Sequence, residues 1–174
     1  MMTITWPNKS LRLLLISIAG LSLSATAMST NWPPAGYKEV RAYIFNLDGH
    51  SGARILETNQ LSDTVVNREG VRLGKLDIER LLQAAVVLKP IAVARSLRCY
   101  VPRHAFVFYD DDKKPVGFVE ICFECSRHRT SASDPLIWEF DLKALRKLFT
   151  DLKISVFEKG DDYLLWRQKP KSEQ

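Results

Sequence analysis

Two β-rich runs separated by a short polar segment set the framework of this 174-residue chain. Ala-Phe-Val-Phe-Tyr (105–109) is followed by Asp-Asp-Asp-Lys-Lys-Pro (110–115) and then by Val-Gly-Phe-Val-Glu-Ile-Cys (116–122). Runs of this composition around a polar turn predict a β-hairpin. If Asp110 and Pro115 flank the turn, antiparallel partners carry numbers that sum to about 225. His104 then faces Ile121–Cys122, and Cys99 comes opposite Cys125–Ser126. The triplet Asp110–Asp112 reads as turn chemistry rather than a calcium loop, because an EF-hand needs spaced ligands, a glycine and a distal Glu. Phe106, Phe108, Phe118 and Phe123 read as core.

The flanking sequence predicts further elements. Glu39 to Leu47 alternates as a strand and is stopped by Asp48-Gly49. Asp77 can cap a helix running to about Val87, with Ile78, Leu81, Leu82 and Ala85 on one stripe and Pro90 preventing continuation. Ile91 to Leu97 reads equally as strand or loop. Ser126 to Asp134 reads as a polar loop, and Asp141 as the cap of a second helix over 142–152. Ile154–Phe157 and Tyr163–Trp166 suggest a closing hairpin. Residues 28–36, with two prolines and a glycine, read as an exposed entry segment, 48–75 show no clear period, and 169–174 form a polar tail. The expected fold is α+β, an antiparallel sheet with a central hairpin and about two packed helices, in a single domain over 28–174.

The N-terminus bears on location. Lys9 and Arg12 precede Leu13–Leu23, eleven mostly apolar residues, and Ala25-Thr26-Ala27 supplies small residues for cleavage. This predicts a secretory signal over 1–27 and a mature protein in the periplasm or outside the cell. The apolar stretch falls short of the about 20 residues that a membrane span needs. Loss of residues 1–27 removes two basic residues and no acidic one, lowering the net charge from +5 to +3. The remaining basic residues are scattered and accompany no nucleic-acid motif, so a nucleic-acid partner is not expected and another envelope protein is the expected partner class.

All three cysteines, Cys99, Cys122 and Cys125, fall within 27 residues, and His104 lies inside that window. A disulfide, Cys99–Cys125 or Cys122–Cys125, is the default in an oxidising compartment. A tetrahedral zinc site from Cys99, His104, Cys122 and Cys125 is the competing reading, and it accounts for the odd cysteine count. It requires Pro102 to break the strand, because an extended 99–104 segment would span roughly 16 Å. Thiol catalysis fits less well, since Cys122-Phe-Glu-Cys125 is not followed by a helical pattern and Glu124 disfavours a thiolate. A Cys/His hydrolase has candidate orienting groups in Glu120 and Asp134 but no motif. No glycine-rich phosphate loop or nucleophile elbow is present in the sequence, so no catalytic residue is assigned.

The block Cys99-Tyr-Val-Pro-Arg-His-Ala-Phe-Val-Phe-Tyr-Asp110, with Val119-Glu-Ile-Cys-Phe-Glu-Cys125, resembles a segment of uncharacterised secreted or lipid-anchored bacterial proteins. In that group it reads Cys-x-x-Pro-Arg-His, an apolar strand ending Phe-Tyr-Asp, then Ile-Cys-Phe-x-Cys. The resemblance implies an exported bacterial protein in which Cys99, Pro102, Arg103, His104, Cys122 and Cys125 form one unit. It implies no activity. The chain lacks the N-terminal cysteine of lipid-anchored members. The expected function is binding, of inhibitor or immunity type, with a structural Cys/His cluster; the alternative is a metal-binding or thiol-dependent enzyme using that cluster.

Overall fold

The computed structural model describes residues 32–87, 99–131 and 138–170. The expected signal segment, the Ile91–Leu97 run, Asp134 and the last four residues lie outside them. The chain folds as α+β. In order come β1 (Glu39–Ile44), β2 (Leu56–Glu57), β3 (Gln60–Leu61), β4 (Val71–Arg72), α1 (Lys75–Gln83), β5 (Ala85–Val87), β6 (His104–Tyr109), β7 (Pro115–Cys122), β8 (Arg127–Thr130), β9 (Trp138–Phe140), α2 (Leu142–Asp151) and α3 (Asp162–Arg167).

Strands β4-β1-β6-β7-β8 form one antiparallel sheet, with the expected hairpin β6–β7 inside it. Its register follows the arithmetic of the turn: His104 pairs with Ile121, Phe106 with Val119 and Phe108 with Gly117. Asp110 closes the turn by accepting the Lys114 amide on Oδ1 at 2.9 Å, while Lys113 takes φ +62°. Because strand side chains alternate, the sheet has two buried faces. One carries Val40, Ala42, Ile44, Phe106, Phe108, Val119 and Ile121, and packs against Leu81 of α1 and Leu145, Leu148 and Phe149 of α2. The other carries Tyr43, Phe45, Ala105, Val107, Tyr109 and Phe118, covered by Ile55, Leu56 and Val65. Thus the 48–75 segment, aperiodic in sequence, roofs the second face with the small hairpin β2–β3 and supplies the edge strand β4.

Asp141 caps α2 as expected, its Oδ1 accepting the Lys143 and Ala144 amides at 2.9 and 3.1 Å. Arg80 of α1 bonds Asp151 of α2 at 2.6 Å, tying the helices together. The entry segment, expected to be exposed, instead packs Trp32 edge-on against Phe108 and Phe140 at 5.3 and 5.1 Å and buries Pro34. Three further expectations are corrected. First, α1 begins after Gly74 and ends at Gln83, so Asp77 lies in its first turn rather than at its cap, and Ala85–Val87, expected to be helix, is strand β5. Second, residues 127–130 of the expected polar loop form edge strand β8, whose side chains are all half-exposed and so leave no hydropathy pattern. Third, Tyr163–Trp166 belongs to α3 rather than to a closing hairpin, so the described residues hold three helices. There the Asp162 carboxylate accepts the Glu158 and Lys159 amides, both at 2.8 Å, folding the chain back. The helix then sets Trp166 edge-on against Phe157 at 5.7 Å. Among the described residues no helix is long and apolar enough to cross a membrane.

Candidate functional site

The open end of the β6–β7 hairpin gathers most of the residues that the sequence singles out. Cys122 ends β7 and is buried, Cys125 is half-buried in the turn that follows, and Cys99 is exposed. All three are free thiols in this structure. The Cys125 amide donates to Cys122 Sγ at 3.4 Å, a bond that curls the Cys122–Cys125 segment back on itself. Burial, then contact with the Cys122 thiol, pushes the Cys125 thiol well above its ordinary pKa, and Cys99 is close enough to add to the effect. Such a thiol stays protonated at neutral pH and is a poor nucleophile.

His104 stands apart from this group. It pairs with Ile121, so both point to the helix-covered face, and alternation sends Cys122 to the other. The imidazole is fully buried in an aromatic box, with ring centroids 5.0 Å from Phe123, 5.1 Å from Phe149 and 5.2 Å from Phe157. Its Nε2–H donates to the Ser155 carbonyl at 3.0 Å, which leaves Nδ1 as a buried acceptor without a hydrogen-bond partner among the described residues. Burial lowers its pKa from 6.5 to about 4, so it is neutral at physiological pH. Among the described residues, no three His, Cys, Asp or Glu side chains stand together as metal ligands.

Pro102 and Arg103 hold the approach to β6. Residues 99–103 form no strand, and Asn46 pins them by donating from Nδ2 to the Pro102 carbonyl at 3.0 Å. Arg103, with a side chain only 7% exposed, donates to Glu124 at 2.9 Å and stacks over Tyr163 at 4.8 Å. It therefore ties the Cys122–Cys125 turn to α3.

Beside the thiols, on the same face as Cys122, lies a polar network that the sequence reading missed as a unit. Glu120 is completely buried; Arg129 donates to its Oε2 from Nε at 2.6 Å, and the Ile55 amide donates to its Oε1 at 2.7 Å. Arg129 also bonds the Ala53 carbonyl at 2.8 Å. The Tyr100 hydroxyl donates to the Glu120 carbonyl at 3.3 Å, and burial raises the Tyr100 pKa far beyond the working range. Burial also raises the Glu120 pKa, with Arg129 opposing. The signal was a lone Glu inside an apolar strand, with an Arg nine residues later across the next turn. Every atom of this carboxylate is engaged by the scaffold, which is the arrangement of a structural clamp.

No protein-family model matches the chain, and no significant match to a curated protein or to a solved structure was found.

Proposed function

We propose that the chain is an exported bacterial binding protein of the envelope, of inhibitor or immunity type, whose cysteines brace the fold. One observation carries this reading: His104, the base that sequence places among the thiols, is walled into the core on the opposite face of the sheet from Cys122. A thiol enzyme needs an accessible base beside a thiol of lowered pKa. Here the base is neutral, enclosed and bonded to Ser155, and the Cys125 thiol is shifted the wrong way. The same separation argues against a zinc ion shared by His104 and the three cysteines.

In an oxidising compartment the thiol contact favours a Cys122–Cys125 disulfide over Cys99–Cys125, leaving Cys99 as the exposed thiol. The resemblance to exported bacterial proteins and the basic-then-apolar N-terminus support export. The test is Cys122→Ser and Cys125→Ser in the exported chain. Bracing predicts a lower melting temperature and less soluble protein in both; a catalytic role predicts unchanged melting.

A further inference from the structure

We propose that the second face of the sheet carries a binding site for a phosphate-class anion, on the side of the molecule where the β6–β7 turn meets the β2–β3 hairpin. A cavity of about 260 Å³ is walled there by Arg41, Arg68 and Lys113 around Tyr43, Tyr109 and the carboxylate of Glu39. It adjoins a groove of about 450 Å³ that shares Arg68, Tyr109 and Lys113, adds Lys114, and has no acidic residue in its wall among the described residues.

The charge and hydrogen-bond balance of this cavity points outward. Glu39 is already satisfied: Arg41 donates to Oε1, and Lys113 and Arg72 lie 2.7 and 3.5 Å from Oε2. The Lys113 hydrogen bond, then that of Arg41, holds its pKa down to about 2, so it remains a fixed anion. Counted with their ion-pair partners, Arg41, Arg68, Arg72 and Lys113 stand against Glu39, Asp63 and Glu69, which leaves a surplus of one positive charge for an anion to balance.

The tyrosines supply a directed donor. Their hydroxyls share one hydrogen bond of 2.7 Å, which uses one of their two protons and leaves the other for a ligand. Both residues are more than nine-tenths covered, at 1% and 7% exposure, so the pair is preorganised. Gly70, at φ +63°, makes room for it: a Cβ there would stand 2.6 Å from the Tyr43 ring. Lys113 and Arg68 keep donors in excess of their single bonds to Glu39 and Asp63. A guanidinium fork bonds carboxylate and phosphate oxygens alike, and the added lysine and phenol donors suit the third terminal oxygen that a phosphomonoester offers.

This assignment deepens the binding-protein reading and rests on it for its biological sense. The test is calorimetric titration of the mature chain, at low ionic strength, with inorganic phosphate and with phenyl phosphate. The expected result is saturable one-to-one binding, weakened roughly tenfold by Arg68→Gln or Tyr109→Phe and unchanged by Arg80→Gln on the helix side. Thermal melting checks that Tyr109→Phe folds, and the exposed Arg68→Gln carries the test alone if it does not. Tighter binding of phenyl phosphate identifies an organic phosphomonoester, and equal binding identifies free phosphate. No saturable heat with either compound overturns the proposal, as does equal weakening by Arg80→Gln, which would indicate general counter-ion attraction. Failure here in a folded, exported chain leaves the binding-protein reading intact, whereas an enzymatic role for the thiols would remove that reading and leave this cavity untouched.

Discussion

Acidification should destabilise this protein through His104 before Glu39 titrates. The imidazole has an ordinary pKa of 6.5, and burial lowers it to about 4 in the fold. Between those values the unfolded chain holds a proton at this position that the native chain does not, so stability is full above pH 6.5 and is lost as pH falls toward 4. At about 1.4 kcal/mol per pH unit, the fall to pH 5 costs about 2 kcal/mol. The geometry explains the refusal: protonation would place a charge among Phe123, Phe149 and Phe157, with Nδ1–H lacking an acceptor and Arg103 next in the chain. The assay is urea unfolding followed by tryptophan fluorescence at pH 7.5 and 5, in the parent and in His104→Phe. With typical urea slopes the parent midpoint should fall by about 1 M, and the variant midpoint by much less. Glu39, lowered to about 2, acts in the same direction at lower pH, and Glu120, raised by burial, acts in the opposite one. Both occur in the two proteins and cancel in the comparison. Parallel losses in parent and variant would refute the reasoning.

Three further outcomes follow from the packing. Arg129→Met strands the Glu120 carboxylate, which is fully buried, and should cost about 3–5 kcal/mol in chemical denaturation; adding Glu120→Gln should restore part of the loss. Gly117→Ala would place a Cβ 2.2 Å from Pro34 Cγ and 2.9 Å from Ser131 Oγ. It should cost about 1–3 kcal/mol of stability, with protease sensitivity rising near residue 34. Asp141→Ala removes the α2 cap and should lower stability by about 1 kcal/mol without changing the circular dichroism of the folded protein.

What could be read from the sequence was local. The hairpin register came from the two-residue alternation and the turn, and the α2 cap from one aspartate before an amphipathic run. The same register, followed one step further, separates His104 from Cys122: a residue opposite Ile121 cannot share a face with Ile121's neighbour. Elements without such patterns were lost. Arg127–Thr130 is a half-exposed edge held by backbone bonds to β7, and backbone pairing leaves no trace in hydropathy. Tyr163–Trp166 is a short apolar run, which suits strand and helix equally until tertiary contact decides; here Phe157 takes Trp166 and the helix wins. The Glu120–Arg129 clamp and the Tyr43–Tyr109 pair join residues from different strands. The tyrosines stand 66 positions apart, and only the assembled sheet brings them together.

The claim that the cysteines brace an exported fold meets its most direct test in the intact mass of the protein purified from periplasm, with alkylation before and after denaturation. The account predicts a chain beginning after Ala27, two hydrogens light, with no bound metal. Its single alkylatable thiol should be Cys99, which reacts without denaturant because it is exposed. A native mass heavier by one zinc, lost on denaturation to leave three alkylatable thiols, would contradict it, as would three free thiols with no metal.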